Sequence, residues 1–223
     1  MAASLLPSRH DRVWLRGSWP GALLSPPDPA LLADVRGWLG RGLPAVACRV
    51  AAGLPEGAVA LGIALRVGPE VRRAAFAVAG EVVASFLPPL SLAEARESAP
   101  PAWRTGLGEL EAAASALGLP LGVYGSLAWQ HLSGEPYLQP GSDVDLLLAP
   151  RTRKELEEGL RLLERAGRAG PRLDGEVLLG GGRAASWREL LGSPRRVLVK
   201  SLRSVALLER GEALGPLAAG EAA

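Results

Sequence analysis

Two aspartates separated by one residue stand immediately before an apolar run, in Ser142-Asp143-Val144-Asp145-Leu146-Leu147-Leu148. No other feature constrains the fold of this chain so tightly. The apolar run reads as a buried strand, and a strand's period of two sends both carboxylates to one face while Val144 points to the other. Two negative charges held side by side at a sheet edge repel one another unless a cation lies between them. The physical use of such a pair is to hold Mg²⁺, a hard ion that prefers carboxylate and phosphate oxygens, against a substrate triphosphate. The plain alternative is a solvated Asp turn ahead of a buried strand.

Upstream, Leu119-Pro-Leu-Gly-Val-Tyr124 reads as a short strand, Gly125-Ser126 as a tight turn and Leu127-Ala-Trp-Gln-His-Leu132 as a helix. Glycine lets the backbone approach a ligand, Ser126 can cap the helix, and the unpaired N–H groups of the helix start make a phosphate cradle. An ordinary capped strand–helix turn has the same pattern; the Asp pair downstream is what gives it meaning. A metal site needs a third carboxylate from a neighbouring element, and Arg172-Leu-Asp-Gly-Glu-Val-Leu-Leu179 offers Asp174 and Glu176 on one strand face. Asp174 is preferred, although spacing alone leaves Glu176 open. Gly180-Gly-Gly182 then reads as a hairpin turn leading to Arg183-Ala-Ala-Ser-Trp187.

Other residues have bland readings of equal or greater weight. Lys200, one of two lysines with Lys154, could reach a phosphate or simply extend from a strand end into water. Arg183 and Arg188 read first as neutralising partners of nearby acids, and Trp129 and Tyr137 as core rings. His10 and His131 have no partner at ligand spacing. Glu155, Glu157 and Glu158 among Arg151, Arg153 and Lys154 read as the solvated face of a helix.

The rest of the chain reads as an α/β protein in two parts. Pro29–Gly40 has Leu31, Leu32, Val35 and Leu39 at helical spacing, with Asp28 as N-cap and Gly40 as C-cap, and Val59, Leu61, Ile63, Leu65 and Val67 alternate as in a strand. Two Pro-Pro pairs, 88–89 and 100–101, bracket a short charged segment and predict a border there, giving an N-terminal α/β domain over 1–100 and a second domain over 101–223. A helix is predicted over Trp103–Leu117. With 25 Lys and Arg against 23 Asp and Glu, the chain has no charge excess suited to nucleic acid. Cys48 is the single cysteine, which excludes an intramolecular disulfide and a Cys-rich zinc site. No apolar run approaches the roughly 18 residues of a membrane span, and Pro7 and charges interrupt the N-terminus before a signal-type core develops, so a soluble cytoplasmic protein is expected.

Gly125-Ser126, Asp143-x-Asp145 and a later strand carboxylate resemble the polymerase-beta-type nucleotidyltransferase superfamily, whose fold is a mixed sheet backed by helices. More closely, GVYGSLAWQHLSGEPYLQPGSDVDLLL with the downstream RLDGEV, GRAASWREL and VLVK segments is similar to the malonate decarboxylase holo-acyl-carrier-protein synthase family, also called phosphoribosyl-dephospho-CoA transferases. The match is dense from Leu119 to Lys200 and thins in the first half to features such as Arg9-His10-Asp11 and Pro44-Ala-Val-Ala-Cys-Arg49. A single Gly125 precedes Ser126 where many members of the wider superfamily carry two. The resemblance implies transfer of the phosphoribosyl-dephospho-CoA group from triphosphoribosyl-dephospho-CoA to a serine of the apo acyl-carrier subunit of malonate decarboxylase, with pyrophosphate leaving. In that scheme Asp143, Asp145 and Asp174 hold Mg²⁺, Asp174 could accept the serine proton, and Gly125, Ser126 and Lys200 bind the donor. The N-terminal domain would complete the cleft for donor or carrier, and Arg183, Arg188, Arg195, Arg196, Lys200 and Arg203 would form a carrier-docking rim. Two alternatives are a nucleotidyltransferase using ATP on a small molecule or another protein, and a non-catalytic binding module of the same fold.

Overall fold

A computed structural model of the protein describes residues 6–17, 24, 28–49 and 53–218. The chain is α/β and divides into two compact units, Met1–Pro89 and Leu90–Ala223, each built on its own sheet.

In the first unit β1 (Arg12–Leu15), β2 (Ala45–Ala47), β3 (Ala58–Val67), β4 (Glu70–Ala79) and β5 (Val83–Leu87) form an antiparallel sheet in the order β4-β3-β2-β1-β5. Helix α1 (Pro29–Gly40) packs on β3 and β4 with Leu31, Val35 and Trp38 buried. Asp28 caps it as expected, accepting from the Leu31 amide at 2.9 Å, and proline at the first helical position costs no hydrogen bond. The other end differs from the expectation. Gly40 is still helical, the C-cap is Arg41, and Gly42, at φ 74°, takes the left-handed turn.

The second unit holds a mixed sheet in the order β12-β11-β10-β9-β8-β7-β6. Its strands are β6 (Leu90–Ser91), β7 (Leu121–Tyr124), β8 (Val144–Leu148), β9 (Leu173–Gly180), β10 (Arg183–Ser186), β11 (Arg196–Lys200) and β12 (Val205–Glu209). β8 and β9 pair in parallel and the remaining neighbours antiparallel. Its helices are α2 (Leu92–Arg96), α3 (Pro101–Ala116), α4 (Gly125–Ser133), α5 (Arg153–Ala169), α6 (Trp187–Leu191) and α7 (Arg210–Ala213). A parallel pair requires a crossover, and α5 supplies it: Thr152 caps its start, accepting from the Glu155 amide at 3.1 Å. Leu156, Leu160 and Leu163 are buried, while Arg161–Glu157 and Arg168–Glu164 ion pairs decorate the outer side.

The pleat sorts the two faces of this sheet. Val144, Leu146 and Leu148 of β8 and Leu173, Val177 and Leu179 of β9 join one core with Leu107, Leu110 and Leu163 from the helices. Asp145, Asp174 and Glu176 therefore lie on the opposite face.

The border lies one Pro-Pro pair earlier than the sequence predicts, after Pro89 instead of Pro100. Leu90 and Ser91 pair with Val123 and Gly122, and Ser91 forms a capping box with Glu94. Leu92, Ala95 and Ala99 enter the second unit's core. Those backbone and apolar contacts tie residues 90–100 to the second unit. Among the described residues no helix is long and apolar enough to cross a membrane.

Candidate active site

The carboxylate face is assembled by three neighbouring strands. β7 runs antiparallel to β8 with Tyr124 opposite Asp145, and the chain leaves β7 directly into Gly125 at φ 67°. A β-carbon on residue 125 would lie 1.9 Å from Asp145 Oδ2. Glycine is therefore required twice over, by the left-handed backbone and by the approach of the carboxylate. The structure corrects the capping expectation. Tyr124 occupies the N-cap of α4 with no side-chain cap, and Ser126 is already the second helical residue. What the turn offers a ligand is the first amides of α4 together with the Ser126 hydroxyl.

On the other side β9 lies parallel to β8 with Asp174 directly opposite Asp145. Adjacent strands are about 4.8 Å apart, so two carboxylates from segments remote in sequence stand next to each other. Gly175 makes this pairing possible: at φ 137° a β-carbon there would meet the Leu146 carbonyl oxygen at 1.9 Å.

The remaining candidates are held elsewhere. Asp143 precedes β8, and both its oxygens accept from Arg172, Oδ1 from Nε and Oδ2 from Nη2 at 2.8 Å. The Val144 amide donates to the Arg172 carbonyl at 2.9 Å, locking the two chain segments together. Hydrogen bonding to Arg172 holds the Asp143 carboxyl below its usual range against the opposing effect of burial; the charges of Arg172 and Arg188 add to the lowering. Asp143 raises the Arg172 pKa in return, with a smaller push from Asp174. Glu176, the rival third carboxylate, faces Leu147 on β8 and accepts from Lys200 Nζ at 3.0 Å. Arg188 donates to the Leu173 carbonyl and lies over the Trp187 ring. His131 is bonded to Ser98 at 3.1 Å, and Tyr137 is buried.

Register thus brings Asp145 and Asp174 together beside Gly125 and Ser126, whereas Asp143 is tied to Arg172 and Lys200 to Glu176. Sequence reasoning missed Arg172 as an Asp143 partner and missed the Glu176–Lys200 pair. Neither has a local signal, since each joins segments brought together only by strand order. Two adjacent carboxylates offer hard oxygen donors that fit a divalent cation. Among the described residues, however, no group of three or more His, Cys, Asp or Glu side chains is set to hold one, and Asp143 is bonded to Arg172.

Comparison with known proteins follows this division into units. Residues 91–211 match the family model described as phosphoribosyl-dephospho-CoA transferase MdcG C-terminal domain, and residues 8–89 the model of the corresponding N-terminal domain. A phosphoribosyl-dephospho-CoA transferase of Xanthomonas campestris pv. campestris is 37% identical over 91% of this chain and 94% of its own length. One from Bradyrhizobium diazoefficiens is 35% identical over 92% of this chain and 91% of its own, and one from Pseudomonas aeruginosa 39% over 49% and 51%. No solved structure matches. With both of its units matched and more than a third of its residues shared along nine-tenths of its length with a full-length relative, the chain belongs to the phosphoribosyl-dephospho-CoA transferase family.

Proposed function

We propose that this protein is a nucleotidyltransferase that moves the phosphoribosyl-dephospho-CoA group from triphosphoribosyl-dephospho-CoA onto a serine of the apo acyl-carrier subunit of malonate decarboxylase. The observation that carries the reading is the register pairing of Asp145 with Asp174 beside the Gly125 turn, in a chain of this family. The serine oxygen attacks the phosphorus nearest the ribose, the bond from that phosphorus to the bridging oxygen breaks, and pyrophosphate leaves with the electron pair. Asp174 accepts the serine proton. The amides at the start of α4 and the Ser126 hydroxyl orient the triphosphate, and Lys200 contributes positive charge.

Mg²⁺ would suit this chemistry as the ion that neutralises a triphosphate; Asp145 and Asp174 are the residues that would hold it, and Asp143 would join them only by giving up Arg172. Phosphoryl transfer asks mainly for charge neutralisation and in-line placement. The N-terminal unit serves the donor or the carrier, and the work is done in the cytoplasm.

The test incubates the protein with apo carrier subunit, Mg²⁺ and triphosphoribosyl-dephospho-CoA and follows the carrier's mass. A mass gain equal to the prosthetic group is the expected result; no adduct with competent substrates overturns the reading. Excess ATP should fail to compete, and modification driven by ATP alone would point to an ordinary nucleotidyltransferase.

A further inference from the structure

The carboxylate face carries a second charged pair that the Asp145–Asp174 pairing does not use. Glu176 is only 4% exposed, and its carboxylate accepts from Lys200 Nζ, whose side chain is 37% exposed. Glu176 sits opposite Leu147 on β8 and Ser186 on β10, while Lys200 sits opposite Ala184 on β10. The lysine therefore reaches across one whole strand to meet its partner. Burying a carboxylate is unfavourable without a charged partner, and stretching a lysine over a neighbouring strand gives up side-chain freedom. A position needed only for packing would be filled by an apolar residue, as Leu147 and Ala184 beside it are.

The asymmetry of the pair shows what it presents. The carboxylate is enclosed and the ammonium is open, so Lys200 keeps donors available toward solvent after one is given to Glu176. Along β9 Glu176 follows Asp174 by two residues, about 6.6 Å. A fixed cation thus stands on the same face as the Asp145–Asp174 pair, one step along the strand.

We propose that Glu176 is a positioning residue that holds the Lys200 ammonium as the anchor for the outer phosphates of the donor, and that it is not the third carboxylate of a metal site. The identity of the donor rests on the transferase reading above; the anchor itself requires only a linear polyphosphate. Glu176 makes an ammonium, otherwise a mobile point charge, into a fixed one.

The probe is inorganic tripolyphosphate, titrated calorimetrically with Mg²⁺ into wild type, Lys200→Met, Glu176→Gln and the double variant, alongside melting temperature and transfer rate. Lys200→Met takes the ammonium away from a buried carboxylate and should lower both stability and binding, the latter about tenfold or more. Neutralising both members should restore the melting temperature without restoring binding, because a buried ion pair replaced by neutral groups of similar shape is often near neutral for stability. Glu176→Gln alone should weaken binding less than Lys200→Met and add no further loss in its background. A double variant that melts, binds tripolyphosphate and transfers like wild type overturns the proposal and leaves a purely structural pair. Loss of Mg²⁺-dependent binding in Glu176→Gln but not in Asp174→Asn overturns it too. Wild-type transfer with Lys200-independent binding defeats this proposal alone. Lys200-dependent binding without carrier modification defeats only the transferase reading.

Discussion

Gly125 and Asp145 form one fitted contact: the aspartate carboxylate occupies the space a side chain at 125 would need, with a β-carbon there only 1.9 Å from Oδ2. Gly125→Ala must therefore displace the carboxylate as well as strain a backbone at φ 67°. The expected outcome is a transfer rate lowered on the order of 10²-fold per folded molecule, with circular dichroism little changed, since small misplacements at a reacting centre have effects of this size. Wild-type kinetics in this variant would remove Asp145 from the chemistry.

Asp145→Asn and Asp174→Asn should each lower transfer by about 10³-fold, and the double variant by much less than the product, because groups that act as a unit are not additive. Stability should move the other way. Like charges held on adjacent strands repel one another, so each amide variant should melt slightly higher in the absence of divalent ions. A drop in melting temperature would mean that the two carboxylates do not repel.

The Asp143–Arg172 pair gives an acid-side signature. Because Arg172 holds the Asp143 carboxyl below its unfolded value, the pair's contribution is complete above about pH 4 and is lost as the pH falls through the lower native value. Thermal melts of wild type and Asp143→Asn between pH 2 and 7 should differ most above pH about 4 and converge below it. Added salt should shrink the difference, since Arg172 is largely exposed.

Arg195 and Arg196 are 88% and 55% exposed and share Glu209 at 3.3 and 3.8 Å, a rim on the β11–β12 hairpin. If this rim steers an acidic carrier, Arg195→Ala/Arg196→Ala should slow transfer at low ionic strength and flatten its salt dependence while donor binding stays constant. A loss confined to donor binding would assign these arginines to the small molecule.

A fragment beginning at Trp103 should express poorly and show no transfer. It lacks β6, which covers β7, and it lacks Leu90, Leu92, Ala95 and Ala99 from the core. Full activity in that fragment would show that neither the N-terminal unit nor this edge serves the reaction.

Several elements were legible because their signals are local. The period of Leu31 and Val35, the Asp28 cap, the alternation through β3 and the apolar run after Asp145 all depend on near neighbours, and Gly180–Gly182, each at positive φ, mark the β9–β10 hairpin. Short strands such as β2 and β6, with three and two residues, are too brief to show a period. β6 also follows a Pro-Pro pair that reads as an interruption, which is why the border was predicted too late. Within the site, residue types pointed to Asp143, Asp145 and Asp174 together. Only strand register determines that Asp174 meets Asp145 while Glu176 meets Lys200, and only the fold brings Arg172 to Asp143. Ser126 lies two residues past the N-cap of α4, too deep to be the cap that its side chain suggests.

The crossover through α5 has a consequence for how much working protein a cell obtains. Asp145 and Asp174 are 29 positions apart (174 − 145) and become neighbours only when β9 closes against β8. Non-local pairings of this kind form slowly, so a nascent chain that has extended only through α5 holds one half of the pair and none of its partner strand. Substitutions at Leu160 or Leu163, buried on α5 in the core on the side of the sheet away from Asp145 and Asp174, would then reduce the yield of assembled molecules while each survivor turns over at the normal rate.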